Sequence, residues 1–153
     1  MKKTDRFKEN LSEDAFFQTV FQSSPDAAIL TRVCDGQIMH VNESFCRISG
    51  YSQDEVIGKT TIALKLYGNL PDRDAFLLHM AKNGILEPHP FQFRRKDGVY
   101  RDGLVSARSF HSQGLEYVCA SIRDITEQQR IHQENEARAE ELNRLFESMS
   151  QGV

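Results

Sequence analysis

Two Asp-Gly pairs, Asp35-Gly36 and Asp97-Gly98, constrain this chain more than any other feature. Each sits between two runs of strand-forming residues. Residues 27–33 precede the first pair and 37–42 follow it; residues 89–96 and 99–110 flank the second. Glycine reaches the positive φ that a tight reversal of paired strands needs, so each pair predicts a β-hairpin. Gly114 turns the chain into a further strand over 115–125.

The segment between the hairpins reads as helical. Asn42 can cap a helix over 43–49 that ends at Gly50. Ser52-Gln53-Asp54-Glu55 is a capping box for a second short helix, closed by Gly58. Residues 59–70 are mixed, with room for one helical turn. Pro71-Asp72 opens a longer helix to Asn83, with Phe76, Leu77 and Met80 on one side and Gly84 at its end. Before the first hairpin, Ser12-Glu13-Asp14 starts an amphipathic helix over 13–22 that carries Phe16, Phe17, Val20 and Phe21. Strands segregated from helices predict an α+β fold with an antiparallel sheet.

Composition narrows the function classes. The 153 residues are 39% hydrophobic and 27% charged, which supports one packed domain with a tail. The net charge of −3 lacks the basic excess of a nucleic-acid binder. No run approaches the roughly 18 apolar residues of a membrane span, and no apolar stretch follows the basic start as in a secretory signal. Cys34, Cys46 and Cys119 are odd in number and never in a CxxC pair, so a reducing, cytoplasmic compartment is expected. Gly58-Lys59-Thr60 is not a phosphate-binding loop, because Gln53 stands where that motif needs glycine. No Ser–His–Asp order or carboxylate pair stands out, so no catalysis is expected of this chain.

From Thr126 the character changes. Residues 126–146 hold no Gly or Pro, and Ile125, Gln128, His132, Asn135, Ala139, Leu142, Phe146 and Met149 follow alternating three- and four-residue spacing. That is a coiled-coil seam with a polar middle, or else a solvated single helix. Residues 145–153 echo Val20–Ala28 at an offset of 125 residues, the length of a module. The expected organisation is a flexible tail over 1–12, a domain over 13–126, a linker helix over 127–144 and the start of a second module over 145–153.

Several phrases together resemble the PAS domains of bacterial signalling proteins. They are Ser24-Pro25-Asp26-Ala27-Ala28, Val41-Asn42-Glu43-Ser44-Phe45, Ile48-Ser49-Gly50-Tyr51-Ser52, Glu55-Val56-Ile57-Gly58-Lys59, Arg95-Lys96-Asp97-Gly98 and Ile122-Arg123-Asp124-Ile125-Thr126-Glu127. The resemblance covers about residues 13–127. It implies a five-stranded antiparallel sheet with short helices over one face, an N-terminal flanking helix and a C-terminal signalling helix. It also implies a sensory and dimerisation module whose output, a histidine kinase or a diguanylate cyclase, lies outside these residues. Asp124, Ile125 and Thr126 are the implied relay into the signalling helix; Asp124 and Thr126 also read simply as a cap. Phe16, Phe17, Val20 and Phe21 are the expected homodimer face.

The resemblance and the strand alternation place a candidate pocket between sheet and helices. From the first hairpin it takes Ile29, Met39 and Val41, and from the helical segment Phe45, Ile48, Leu64, Phe76, His79 and Met80. The later strands add Phe91, Phe93, Val118, Ala120 and Ile122. A fully packed core is the alternative reading of the same residues. Arg94, Arg95 and Lys96 read as a solvated hairpin end, and the cysteines as small packing residues.

Flavin photochemistry is disfavoured. Residues 58–64 lack the reactive cysteine of flavin-binding relatives, and Ile122 stands where they carry glutamine. Three readings remain: a module that binds a small metabolite and signals to a downstream domain, a ligand-free interaction module, and a haem sensor with His79 as iron ligand. An absorption spectrum of protein taken straight from cells separates them. A Soret band lost in His79→Ala assigns haem, and a protein band alone removes haem and flavin together.

Overall fold

The computed structural model describes residues 15–151, and its framework is set by tight reversals. Helix α1 covers residues 15–23. Strands β1 (Ala27–Arg32) and β2 (Ile38–Val41) form the first hairpin. Helices α2 (Glu43–Ser49), α3 (Gln53–Val56) and α4 (Leu70–Asn83) follow. Strands β3 (Ile85–Arg94), β4 (Tyr100–Ser112) and β5 (Leu115–Asp124) complete one antiparallel sheet of order β2-β1-β5-β4-β3. Helix α5 (Thr126–Gln151) leaves from the end of β5. The expected tail over 1–12 and the first two residues of the expected 13–22 helix lie outside the described residues.

The caps are those that the residue types dictate. Asn42 accepts from the Phe45 amide at 2.9 Å, and Ser52 and Glu55 form the reciprocal capping box of α3. Asn69, not anticipated, caps α4 through the Asp72 amide at 2.9 Å. Gln113 and Gly114, both at positive φ, join β4 to β5 and set the pairing Ser112↔Leu115.

Three local expectations need correction. Met39 occupies a bulge: Leu30 pairs with His40 but Thr31 pairs with Ile38. The extra residue breaks the alternation, so Ile38 is fully buried with Val41, and Met39 is only half-buried. Strand β3 begins at Ile85, four residues before the expected start. Pro88 and Pro90 argue against a strand, but β3 is a sheet edge and has its own irregularity between Leu86 and His89. Residues 58–68 do more than hold a turn, for they cover parts of both sheet edges. Gly58 and Lys59 hydrogen-bond with Ile38 of β2, and Leu66 and Gly68 with Arg94 and Gln92 of β3. Covered edges leave fewer free ladder groups for unwanted pairing.

Asn42 ties the N-terminal elements together. Its side chain, 1% exposed, donates to the Phe21 and Asp26 carbonyls at 3.0 Å each and accepts from the Ala28 and Phe45 amides at 2.9 Å each. Beside it, the Ser44 hydroxyl donates to the Ser24 carbonyl at 2.6 Å, and Gln22 accepts from the Glu43 amide at 3.0 Å. One amide thus joins α1, the following loop, β1 and α2. Asn42→Ala strands those backbone groups and is expected to cost roughly 3 kcal/mol. Urea unfolding measures it; a loss under about 1 kcal/mol would mean that water replaces the amide without penalty.

Candidate functional site

The inner face of the sheet and the helices enclose a cavity of about 590 Å³. Its floor is Ile29 of β1, Val118, Ala120 and Ile122 of β5, Val105 of β4, and Phe91 and Phe93 of β3. Phe45 and Ile48 of α2, Phe76 and Leu77 of α4, and Leu66 and Tyr67 close it from the other side. The volume falls within the range of pockets that enclose small organic ligands.

Ten of the fourteen candidate pocket residues line this cavity: Ile29, Phe45, Ile48, Phe76, His79, Phe91, Phe93, Val118, Ala120 and Ile122. Val41, Leu64 and Met80 are instead buried in the packed core, and Met39 is carried off the wall by its bulge. Of the side of α4 expected to face inward, Met80 is 5% exposed but Leu77 is 41% exposed. Helix α4 therefore packs at its C-terminal end and leaves a space under its first turns.

His79 sits at the exposed side of that space. Its Nε2 lies 3.0 Å from the Ile85 carbonyl and its Nδ1 3.4 Å from the Asn83 amide nitrogen. A neutral ring that donates through Nε2 and accepts through Nδ1 satisfies both contacts. Among the described residues, no group of three His, Cys, Asp or Glu side chains could hold a metal ion. Burial pushes the Cys46 and Cys119 thiols above their usual pKa, which keeps them protonated and poorly nucleophilic. Cys34 is exposed at the rim, beside the β1–β2 turn.

Two polar groups of the cavity were not anticipated. Burial pushes the Tyr67 phenol up to about 12, against the opposing pull of the nearby Arg73 charge. The Tyr67 ring lies 6.4 Å from Phe76 and 6.3 Å from Phe91, centroid to centroid. Neither Tyr67 nor Arg73 shows a periodic or turn signal. Both reach the cavity because the 58–68 segment pairs with β3 before α4 begins.

At the end of β5 the expected relay residues form a compact clamp. Asp124 Oδ1 accepts from the Thr126 amide at 3.0 Å and from its hydroxyl at 2.7 Å, and Asp124 Oδ2 pairs with Arg101 Nε at 2.8 Å. The Thr126 hydroxyl accepts from the Asp102 amide at 3.0 Å, and the Asp102 carbonyl accepts from the Ile125 amide at 2.9 Å. Ile125 is buried, while Gln128 and residues 131–150 are exposed. Arg101 and Asp102 escaped the sequence reading, although the hairpin register predicts them. The reversal at Gln113-Gly114 makes Gly103 the partner of Asp124, and the reversal at Asp97-Gly98 makes Arg101 the partner of Phe93.

On α1, Phe16, Phe17 and Val20 are exposed, as a contact face requires, but Phe21 is 8% exposed and belongs to the interior. Its ring stacks on Phe17 at 5.4 Å. The basic run is also less solvated than expected. Lys96 pairs with Glu55 of α3, its amide donates to the Ser49 carbonyl at 2.9 Å, and Arg95 packs near Gly50. These contacts fasten the β3–β4 turn to the helical layer.

A family model described as PAS domain matches residues 25–127, and the chain belongs to the PAS family. Domains of this family are sensory and signalling modules. The fold is similar to that of a PAS domain from a two-component sensor histidine kinase. The TM-score is 0.66 at 15% identity, covering 75% of this chain and 98% of that one. It is also similar to the PAS domain of an HTR-like protein from Haloarcula marismortui, at TM-score 0.62 and 26% identity over 80% of this chain and 99% of that one. Over 65 residues it is 29% identical to the voltage-gated delayed rectifier potassium channel KCNH1 of Rattus norvegicus. That match covers 40% of this chain and 7% of the channel. No helix among the described residues is long and apolar enough to cross a membrane.

Gly103 shapes the cavity floor. A Cβ there would meet the Phe91 ring at 2.8 Å and the Phe93 ring at 3.0 Å, so the missing side chain lets both rings lie against β4. Gly103→Ala is expected to push Phe91 into the cavity and to lower stability by about 1–3 kcal/mol. Thermal unfolding measures the cost, and the chemical shifts of the Phe91 ring protons report the displacement. Unchanged shifts would show that the rings have room to spare.

Proposed function

We propose that this domain senses a small molecule or a partner in its cavity and relays the event through α5 to an output domain outside this chain. The observation that carries the reading is the double use of β5. Val118, Ala120 and Ile122 are cavity wall, and Asp124, next on the same face, is the centre of the α5 clamp. Phe93, another wall residue, pairs directly with Arg101, the ionic partner of Asp124. Ile122 is thus two residues from Asp124 along β5, and Phe93 reaches Asp124 through Arg101. An occupant changes signalling only if it binds one clamp geometry better than the other.

Helix α5 is the natural output lever. Its 26 residues reach about 39 Å at 1.5 Å per residue. Ile131, Leu142, Leu145, Phe146 and Met149 are exposed along it. Exposed apolar positions on a helix clear of its domain support pairing with a second copy, as do Phe16, Phe17 and Val20 on α1. Helix α5 continues without a break through 145–151, the segment that repeats the end of α1. This supports a tandem arrangement in which the lever of one module becomes the first helix of the next. A cytoplasmic sensor kinase or diguanylate cyclase fits such an arrangement.

Asp124→Ala combined with Thr126→Ala tests the relay. The amides of the first two turns of α5 are expected to exchange with deuterium at least about tenfold faster, a loss of roughly 1.4 kcal/mol of local protection. Amides of β1 and β2 should keep their rates. Unchanged exchange in α5 would reduce the clamp to an ordinary cap and remove the relay.

A further inference from the structure

The cavity is apolar over most of its wall, but one cation lies there without a matching partner. Arg73, in the second turn of α4, lines the cavity with its side chain only 19% exposed. Among the described residues its guanidinium makes no hydrogen bond, and its nearest carboxylate, Asp74, stands 4.0 Å away and points to solvent at 77% exposure. The Tyr67 hydroxyl likewise makes no hydrogen bond among the described residues, and Arg73 is near enough for its charge to act on that phenol. Both donors line the cavity, and the Phe76 and Phe91 rings lie beside the Tyr67 ring. Arg73 is thus a half-buried guanidinium whose fork of N–H groups has no close acceptor, and a carboxylate would match it.

The remaining charges narrow the class. Asp35 at the rim is neutralised by Arg32, with which it makes several hydrogen bonds. Asp72 lines the exposed mouth next to Arg73. Arg73, with the single carboxylate of Asp72 beside it at the mouth, suits a monoanion and opposes a phosphate dianion.

We propose that the cavity takes a small monocarboxylate with an apolar body. The Arg73 guanidinium and the Tyr67 hydroxyl hold its carboxylate, and Phe76, Phe91 and Ile122 hold its body. This rests on the reading of the cavity as a sensing site and adds the chemical class of what is sensed. His79 and the thiols take no part in it.

Matched probes test it without knowledge of the natural ligand. Indole-3-acetate and 4-phenylbutyrate are titrated calorimetrically against the purified protein beside their neutral amides. At least one acid is expected to bind at least about tenfold tighter than its amide. Arg73→Gln should erase that preference and leave amide binding unchanged, and Arg73→Lys should keep part of it. Tyr67→Phe should weaken the acid a few-fold and spare the amide. Thermal unfolding of each variant verifies that the fold is intact. Equal affinity of acid and amide, or a preference that survives Arg73→Gln, overturns the carboxylate assignment and leaves ligand sensing standing. Binding of neither probe pair overturns both the carboxylate assignment and the sensing cavity.

Discussion

Every element on the N-terminal side of this domain depends on the buried amide of Asn42. Two donors and one two-lone-pair oxygen meet four backbone groups from four chain segments, so no hydrogen-bonding capacity is left over. A buried amide is costly when half satisfied and rigid when fully satisfied. That rigidity sets where α1 ends, where β1 enters the sheet and where α2 begins. The helical layer is thereby held at a fixed height above β1, and a cavity becomes feasible below it.

The sheet order turns this local anchor into a device. β5 lies at the centre, between β1 and β4, so it touches both halves of the fold. Its inner face is cavity wall until Ile122 and clamp from Asp124 onward. The Asp124–Arg101 pair is partly buried, with its side chains 18% and 34% exposed. Such a pair is screened less than an open surface pair, and so depends more on small shifts of the strand that carries it. Across the cavity, α4 packs more closely at its end, where Met80 is buried, than at Leu77 and Leu78, which are exposed.

Much of this was legible residue by residue. The capping side chains of Asn42, Ser52 and Glu55, the reversals at Gly36, Gly98 and Gly114, and the junction at Asp124 and Thr126 all follow from short-range chemistry. Ten pocket residues followed from alternation along regular strands and from the family resemblance. Failures came where regularity broke. A single inserted residue moved Met39 off the wall, and prolines concealed the start of an edge strand that tolerates them. Phe21 looked like a contact residue by helical spacing, but the loop tied down by Asn42 turns it inward.

Sequence by itself determined the elements, their order and their turns, because caps, glycines and periodicity act over a few residues. It also determined the resemblance on which the signalling role rests. Tertiary structure alone decided that Tyr67 and Arg73 both line the cavity and that Gly103 makes room for Phe91 and Phe93. Those contacts join residues from different elements. Their positions depend on strand register and on how α4 settles over the sheet, which are long-range outcomes of packing.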